Sequence, residues 1–176
     1  MKKTINLFVD MDGTIAKFYY KKNCLEKMYE LGYFRNLPPY ALVHRLNDFI
    51  DKDTCVQVYI LSACVKSPYC RDEKVEWLLK WLPNLNPKNV ILTNVGENKV
   101  EKAKNLIDNF NECINILLDD YSMNLELWQA ESENCIGIKF LNGINDTTKS
   151  WQGLKIKTFM QLEEIIKNIA MYGKQK

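Results

Sequence analysis

Short apolar runs alternate along the chain with longer segments in which apolar residues recur every three or four positions. The apolar runs predict strands at 5–9, 56–61, 90–92, 114–118 and 135–140. The periodic segments predict helices at 24–31, 40–50, 71–82, 98–110, 124–130 and 159–171, with Leu79 and Leu106 among the residues facing the core. This alternation indicates an α/β fold, in which helices cover both faces of a Rossmann-like parallel sheet. We expect one domain over 1–176, with a small helical cap inserted at about 18–50 after the first strand.

Polar residues follow three of the predicted strands. Asp10 and Asp12 come directly after the first strand, Ser62 follows the second, and Asp119 and Asp120 follow the fourth. The carboxyl ends of parallel strands meet at one edge of a sheet, where open α/β sheets bind their ligands. We therefore expect these side chains to lie close together.

Two carboxylates as close in sequence as Asp10 and Asp12 need a cation or a proton to coexist, because like charges disfavour joint ionisation. Magnesium suits them, since it is a hard ion that prefers oxygen ligands. Taken singly, each residue also fits an ordinary structural role, because a D-x-D-G run is often a solvated turn and a serine after a strand is often a turn residue. The order of all these residues along the chain, rather than any one of them, favours a functional site.

Composition narrows the class of protein. At 176 residues, 47% hydrophobic and 26% charged, the chain is typical of one soluble domain. A formal charge of +2 gives no reason to expect a nucleic acid polymer or a membrane as a partner. Its six cysteines form no C-x-x-C pair, which favours reduced thiols and a cytoplasmic location. Only five apolar residues precede Asp10, fewer than a signal peptide needs.

The order of the polar motifs resembles the haloacid dehalogenase superfamily of aspartyl phosphotransferases. In that superfamily a first strand ends in D-x-D-G-[TV], a second ends in Ser or Thr, a helix carries a lysine, and a later strand ends in acids. Here these are DMDGT at 10–14, Ser62, Lys99 and the acids at 119–120. A closer resemblance is to the 5'(3')-deoxyribonucleotidases, and it rests on DMDGTIA-x-F at 10–18, GYF-x-x-LPP at 32–39, VYILSA at 58–63, LLDDY at 117–121 and GIKFLN at 137–142.

The resemblance implies magnesium-dependent hydrolysis of 5'-(deoxy)nucleotides through an aspartyl-phosphate intermediate. Asp10 would be the nucleophile, and Asp12 the general acid and base. Magnesium would be held by the Asp10 carboxylate, the Asp12 backbone carbonyl and an acid of the fourth strand. Of the two acids there, we favour Asp120 as the direct ligand, with Asp119 in support.

Phosphate binding is expected from Ser62 and Lys99, which would offset charge in the transition state. Lys74, near the start of the helix after Ser62, matches a lysine that deoxyribonucleotidases use for phosphate. A helix N-terminus already favours anions, so this position is physically sensible. A solvated surface lysine is an equal alternative for Lys74.

Aromatic residues near the predicted site suggest which leaving group the substrate carries. Phe18, Tyr19, Tyr33 and Phe34 would approach the site from the first loop and the insertion, and aromatic faces stack on any nucleobase. In the resembling family, Phe18 and the cap aromatics wall the base pocket. Core packing is an equal alternative for Tyr33.

Two other functions compete with the nucleotidase hypothesis. One is a phosphatase for other small phosphorylated metabolites, because a small cap restricts access only loosely. The other is a non-catalytic phosphate-binding domain, against which the intact set of Asp10, Asp12, Lys99 and Asp120 argues. The expected partner is thus a small phosphate monoester, and the sequence leaves a homodimer open. Lys17 and Ala63 depart from the animal enzymes, which bears on the range of substrates rather than the reaction.

Overall fold

A six-stranded sheet forms the centre of the computed structural model, which describes residues 4–52, 55–146 and 151–172. The strands are β1 (Ile5–Val9), β2 (Val56–Cys64), β3 (Val90–Asn94), β4 (Ile114–Asp119), β5 (Cys135–Phe140) and β6 (Leu154–Ile156). They lie in the order β3-β2-β1-β4-β5-β6, and every neighbouring pair is parallel. This confirms the predicted parallel α/β sheet.

The strands differ from the sequence prediction in two places. The prediction missed β6, because it has only three residues, two of them exposed, and therefore lacks a buried apolar run. Strand β2 continues to Cys64 rather than ending at 61. Ser62 consequently lies within the strand, paired with Leu92 of β3, and its position is set by the sheet rather than by a loop.

Helices cover both faces of the sheet, as predicted. In the described residues the α-helices are α1 (Cys24–Lys27), α2 (Leu42–Lys52), α3 (Cys70–Trp81), α4 (Lys99–Leu106), α5 (Ser122–Glu131) and α6 (Phe159–Tyr172). Side chains of α2, α3 and α6 share one core with Leu7 of β1, whereas those of α4 and α5 share the other with Phe8. The two cores follow from the period of two along a strand. Within these ranges, no helix has the length and apolar character needed to cross a membrane.

Two helices end earlier than predicted. Helix α1 is a single turn that ends at Lys27 rather than at 31, and the chain then continues through turns, with Gly32 at φ +87°. Helix α4 ends at Leu106 rather than at 110, because Ile107 adopts extended dihedral angles. Leu106 is 53% exposed at this helix end, so the prediction that it faces the core was wrong.

Charged residues shift the buried stripe of α3 away from its predicted position. The stripe contains Glu73 and Lys74 beside Trp77 and Leu78. Leu79 lies one position beyond it, about 100° further round the helix, and is 54% exposed. The prediction that Leu79 faces the core was therefore wrong, since hydrophobic periodicity assigns Glu73 and Lys74 to the solvent side.

Hydrogen bonds join two parts of the segment between β1 and β2 to each other and attach the segment to α3. The backbone N–H of Lys17 donates to the Pro38 carbonyl (2.8 Å), and that of Tyr40 donates to the Ile15 carbonyl (2.8 Å). The Trp77 indole donates to the Leu37 carbonyl (2.7 Å). Helix α2, at the end of this segment, packs in the same core as α3 and α6. The cap limits of 18–50 stay a prediction.

The Glu73 carboxylate of α3 is buried and binds the inserted loop, which we define as residues 32–35 of the segment between β1 and β2. It accepts hydrogen bonds from the backbone N–H groups of Gly32, Phe34 (3.0 Å) and Arg35 (3.4 Å). The Arg35 guanidinium adds an ion pair with a 3.4 Å separation. Because Glu73 is fully buried, these donors replace the water that its charge would otherwise need.

We expect Glu73→Ala to lower the free energy of unfolding by about 2–4 kcal/mol, because it leaves one buried and two partly buried N–H groups without a charged acceptor. Chemical denaturation of the purified protein measures this loss. The matched control is Glu76→Ala, which removes an exposed carboxylate that also contacts Arg35. That control should change stability by no more than about 0.5 kcal/mol. Equal losses in the two variants would contradict the anchoring role of Glu73.

Candidate active site

The site lies where the strand order reverses. Val9, the last residue of β1, pairs with Ile60 of β2 on one side and with Leu118 of β4 on the other. Open α/β sheets bind ligands in the crevice at such a switch point, beyond the carboxyl ends of the strands. Asp10 leaves β1 here, and its backbone N–H donates to the Leu118 carbonyl (2.9 Å), which brings it beside the end of β4.

A tight turn after β1 brings the first motif against the acids of β4. The Met11 carbonyl accepts hydrogen bonds from the N–H groups of Ile15 (3.0 Å) and Ala16 (2.8 Å), which closes the turn. Gly13 within it has φ +80°, a left-handed conformation that side chains disfavour. A Cβ at Gly13 would lie 2.3 Å from Asp120 Oδ2. Glycine is therefore required both by the backbone angle and by the close approach of Asp120.

Lys99 joins Asp10, which follows β1, to Asp119, the last residue of β4. Its Nζ donates to Asp10 Oδ1 (2.6 Å) and to Asp119 Oδ2 (2.7 Å), and its side chain is 7% exposed. Lys99 is the first residue of α4, which begins where the Asn98 side chain caps the Val100 N–H. Burial alone would lower the pKa of Lys99, but the charges of Asp10 and Asp119 raise it above its usual value. The lysine therefore stays charged.

Lys74 binds Asp12 in the way that Lys99 binds Asp10. Its Nζ donates to Asp12 Oδ2, to Ser62 Oγ (3.1 Å) and to the Ala63 carbonyl (2.6 Å). Lys74 is fully buried, so the surface-lysine alternative was wrong. Burial favours its neutral form, yet the charges of Asp12 and Asp10 raise its pKa. Burial in turn raises the pKa of the Asp12 carboxyl, against the opposing effect of Lys74.

The two acids at the end of β4, Asp119 and Asp120, have different surroundings. Asp119 Oδ1 accepts from the Tyr121 N–H (2.8 Å), and Oδ2 accepts from Lys99 and from Asn124 Nδ2 (2.9 Å). Within the described residues, the Asp120 carboxylate accepts one hydrogen bond, from Asn142 Nδ2 to Oδ2 (2.9 Å). Burial, followed by the charges of Asp119 and Asp10, raises the pKa of Asp120 to about 8. Among the described residues, protein donors thus engage both oxygens of Asp119, whereas the charge of Asp120 is offset less completely, by Asn142 and by the charge of Lys99.

The carboxylates fit a metal site. Oxygen atoms of Asp10, Asp119 and Asp120 all lie within 4.8 Å of one another. Asp12 Oδ1 is buried and has no hydrogen-bond partner among the described residues. Converging carboxylate oxygens suit a hard divalent cation, which would also offset their mutual repulsion.

The structure buries most of the aromatic residues expected around the substrate. Phe18, Tyr33 and Phe34 are 8%, 6% and 1% exposed and pack against one another in the core. The Phe34 ring centre lies 5.0 Å from Lys74 Nζ, so this cluster backs onto the site. Tyr19 packs edge-on against Phe18 but is 42% exposed. Burial, and then the charge of Asp120, raises the pKa of Tyr19 to about 12.

The polar residues predicted from the sequence therefore lie close together. The prediction missed three asparagines that form hydrogen bonds with the acids. Asn124 and Asn142 contact the two acids of β4, and Asn145 Nδ2 donates to the Asp120 carbonyl (3.0 Å). A usable signal existed for Asn142, which follows β5 by two residues and obeys the same rule as the other polar strand ends. Asn124 lies inside a helix, where an asparagine gives no such signal.

The fold and this site define an α/β protein of the Rossmann-like type with an acidic centre at the carboxyl edge of its sheet. Among solved structures, the chain is similar to a phosphoserine phosphohydrolase-like protein from Francisella tularensis. The TM-score is 0.57 at 15% identity, over 93% of this chain and 100% of the other. This likeness confirms the fold. No protein-family model matches the chain.

Sequence relatives agree with the resemblance seen in the motifs. A "Putative 5'(3')-deoxyribonucleotidase" of Staphylococcus epidermidis is 31% identical over 107 residues, covering 58% of this chain and 49% of the relative. A protein of the same name from Staphylococcus aureus is 36% identical over 87 residues, covering 47% of this chain and 44% of the relative. The resemblance to this group is therefore confirmed, although the chain spans about half the length of the curated relatives it matches.

Proposed function

We propose that the protein is a magnesium-dependent phosphate monoester hydrolase that acts on 5'-(deoxy)nucleotides. The observation that carries the proposal is the pairing of Asp10 with Lys99 and of Asp12 with Lys74 at the switch point of the sheet. A site that only bound phosphate would gain nothing from two buried carboxylates, because they repel an anion. A nucleophile and a separate acid, by contrast, require both. The names of the relatives support the same reaction and substrate class.

In the first step, an Asp10 carboxylate oxygen attacks phosphorus while the bond from phosphorus to the leaving oxygen breaks. Lys99 orients Asp10 by its hydrogen bond to Oδ1. Asp12 donates its proton to the leaving oxygen, which departs as an alcohol. The raised pKa of Asp12 supports this role, because a general acid must carry a proton near the working pH. The product is a phosphorylated Asp10.

In the second step, the Asp12 carboxylate takes a proton from a water molecule as that water attacks phosphorus. The bond from phosphorus to Asp10 breaks, which restores the Asp10 carboxylate and releases inorganic phosphate. Asp12 ends the cycle protonated, as it began. Lys74 would offset charge on the transferring oxygens and steady Asp12 between its two roles, and Ser62 would donate to the phosphoryl group.

Magnesium would be held by the Asp10 carboxylate, the Asp12 backbone carbonyl and the Asp120 carboxylate. The choice of Asp120 over Asp119 rests on hydrogen bonding, since Lys99, Asn124 and the Tyr121 N–H already occupy both Asp119 oxygens. When bound, the ion would supply positive charge against the oxygens of the transferring phosphoryl group.

Phosphate release from panels of nucleotides and sugar phosphates, with and without magnesium, tests the proposal. We expect hydrolysis only with the ion present and a preference for 5'-(deoxy)nucleotides. A preference for sugar phosphates would identify the rival metabolite phosphatase instead. Binding without release across both panels would identify a phosphate-binding domain.

We expect Asp10→Asn to lower kcat by about 10⁴-fold or more, because an amide cannot act as the nucleophile. Phosphate release measures the loss, and thermal unfolding checks that the variant is folded. The matched control is Asp48→Asn, the same chemical change at an exposed position of α2, which should leave kcat unchanged. Substantial turnover by Asp10→Asn would rule out the aspartyl-phosphate route.

We expect Asp120→Ala to raise the magnesium concentration for half-maximal activity at least about tenfold more than Asp119→Ala does. Asp120 would lose a direct ligand, whereas Asp119→Ala would mainly leave Lys99 and Asn124 without their acceptor. Magnesium titrations of hydrolysis compare the two variants. Equal shifts would leave the preference for Asp120 unsupported.

We assign binding of the nucleotide base to the aromatic residues beside Lys74. Phe18, Tyr33 and Phe34 would form the wall of the pocket, and Tyr19 would offer the exposed ring surface. Their packing supports this division, because a ring already buried in the core has little area left for a base. Tyr19 also packs against Phe18, whose neighbour Phe34 lies beside Lys74 Nζ.

We expect Tyr19→Ala to lower kcat/KM for nucleotides about ten- to a hundredfold, which corresponds to the loss of one stacked base. Hydrolysis of p-nitrophenyl phosphate, which has no base, should fall much less. Tyr19→Phe keeps the ring and should retain nucleotide activity. Parallel losses on both substrates would show that Tyr19 supports the structure rather than binding the base. Phe18→Ala, assayed on the same two substrates, tests in the same way whether the buried aromatic residues form a wall of the base pocket.

A further inference from the structure

Asn142, in the loop after β5, connects the two segments that carry the acids. Its Nδ2 group donates to Asp120 Oδ2 (2.9 Å) and to the Gly13 backbone carbonyl (3.0 Å). A side-chain amide has two N–H donors, and both are used here. Asn142 therefore ties the turn after β1 to the acid after β4.

The loop fixes the orientation of this amide. Asn142 Oδ1 accepts hydrogen bonds from the backbone N–H groups of Ile144 (3.0 Å) and Asn145 (3.1 Å). If Oδ1 and Nδ2 were exchanged, Nδ2 would face the N–H groups of Ile144 and Asn145, which are also donors. Oδ1 would then face the Asp120 carboxylate, which is also an acceptor. The network thus admits one orientation of the amide.

A second amide from the same loop holds the backbone of Asp120. Asn145 Nδ2 donates to the Asp120 carbonyl (3.0 Å) and to the Phe140 carbonyl (3.1 Å), which links the acid to the end of β5. With its backbone held in this way, the remaining freedom of Asp120 lies in its side-chain torsions. Among the described residues, Asn142 donates the hydrogen bond that limits these torsions.

We propose that Asn142 is a positioning residue that aims Asp120 at the metal, an inference that rests on the proposed function. Asn142 binds Oδ2 of Asp120, and a carboxylate oxygen of Asp120 lies within 4.8 Å of oxygens of Asp10 and Asp119. Without this hydrogen bond, repulsion from those two carboxylates would favour rotation of Asp120 away from them. Partners that orient metal ligands typically account for 10–100-fold in metal affinity.

Calorimetric titration of the purified protein with magnesium alone tests this inference without relying on turnover. We expect Asn142→Ala and Asn142→Ser each to bind magnesium about 10–100-fold more weakly than the wild type. The serine hydroxyl can still accept a hydrogen bond within the loop but is too short to reach Asp120, so it separates the turn from the contact with the acid. Saturating magnesium should restore most of kcat in both variants, because the catalytic pair is untouched.

Asn84→Ala provides the control, since Asn84 is exposed and its side-chain amide donates to the Asn47 backbone carbonyl (3.2 Å) rather than to an acid. It should bind magnesium like the wild type. Thermal unfolding without magnesium identifies any variant that fails to fold. Wild-type affinity in Asn142→Ser would overturn the role of Asn142 while leaving the proposed function intact. A wild-type protein that neither binds magnesium nor releases phosphate would overturn both.

Discussion

The site depends on a balance of buried charge between carboxylates and ammonium groups. Lys99 is bonded to acids of β1 and β4, and Lys74 is bonded to Asp12 and Ser62. Carboxylates so close together would otherwise favour protonation or rotation apart. Because Lys74 and Lys99 lie on different helices, the balance also fixes α3 and α4 against the edge of the sheet.

The sheet order determines which residues take part in this balance. Strand β1 lies between β2 and β4, so its carboxyl end faces Ser62 on one side and the β4 acids on the other. The absence of a Cβ at Gly13 then lets Asp120 approach the turn of the first motif. Parallel pairing and one glycine thus gather groups from distant parts of the chain at a single crevice.

Helix α3 contacts both the insertion and the site. Two adjacent residues of its buried stripe are charged: Glu73 binds backbone N–H groups of the inserted loop, and Lys74 binds Asp12. The Phe34 ring lies beside Lys74, so the loop that Glu73 holds also covers the lysine. The inserted loop and Asp12 are therefore bound by adjacent residues of one helix.

Local patterns in the sequence were sufficient for the main strands, for the alternation with helices, and for the polar residues Asp10, Ser62 and Asp119 at or near the carboxyl ends of three strands. These features depend on apolar periodicity and on neighbours in the chain, which a single sequence displays. The tertiary structure alone decided that Lys74 is buried, that Asn142 contacts Asp120, and that Phe18 lies in the core. The partners concerned are far apart in sequence, 62 residues for Lys74 and Asp12 and 129 for Asn142 and Gly13. A charged or amide side chain is buried only when such a partner satisfies it, and no local pattern reveals that partner.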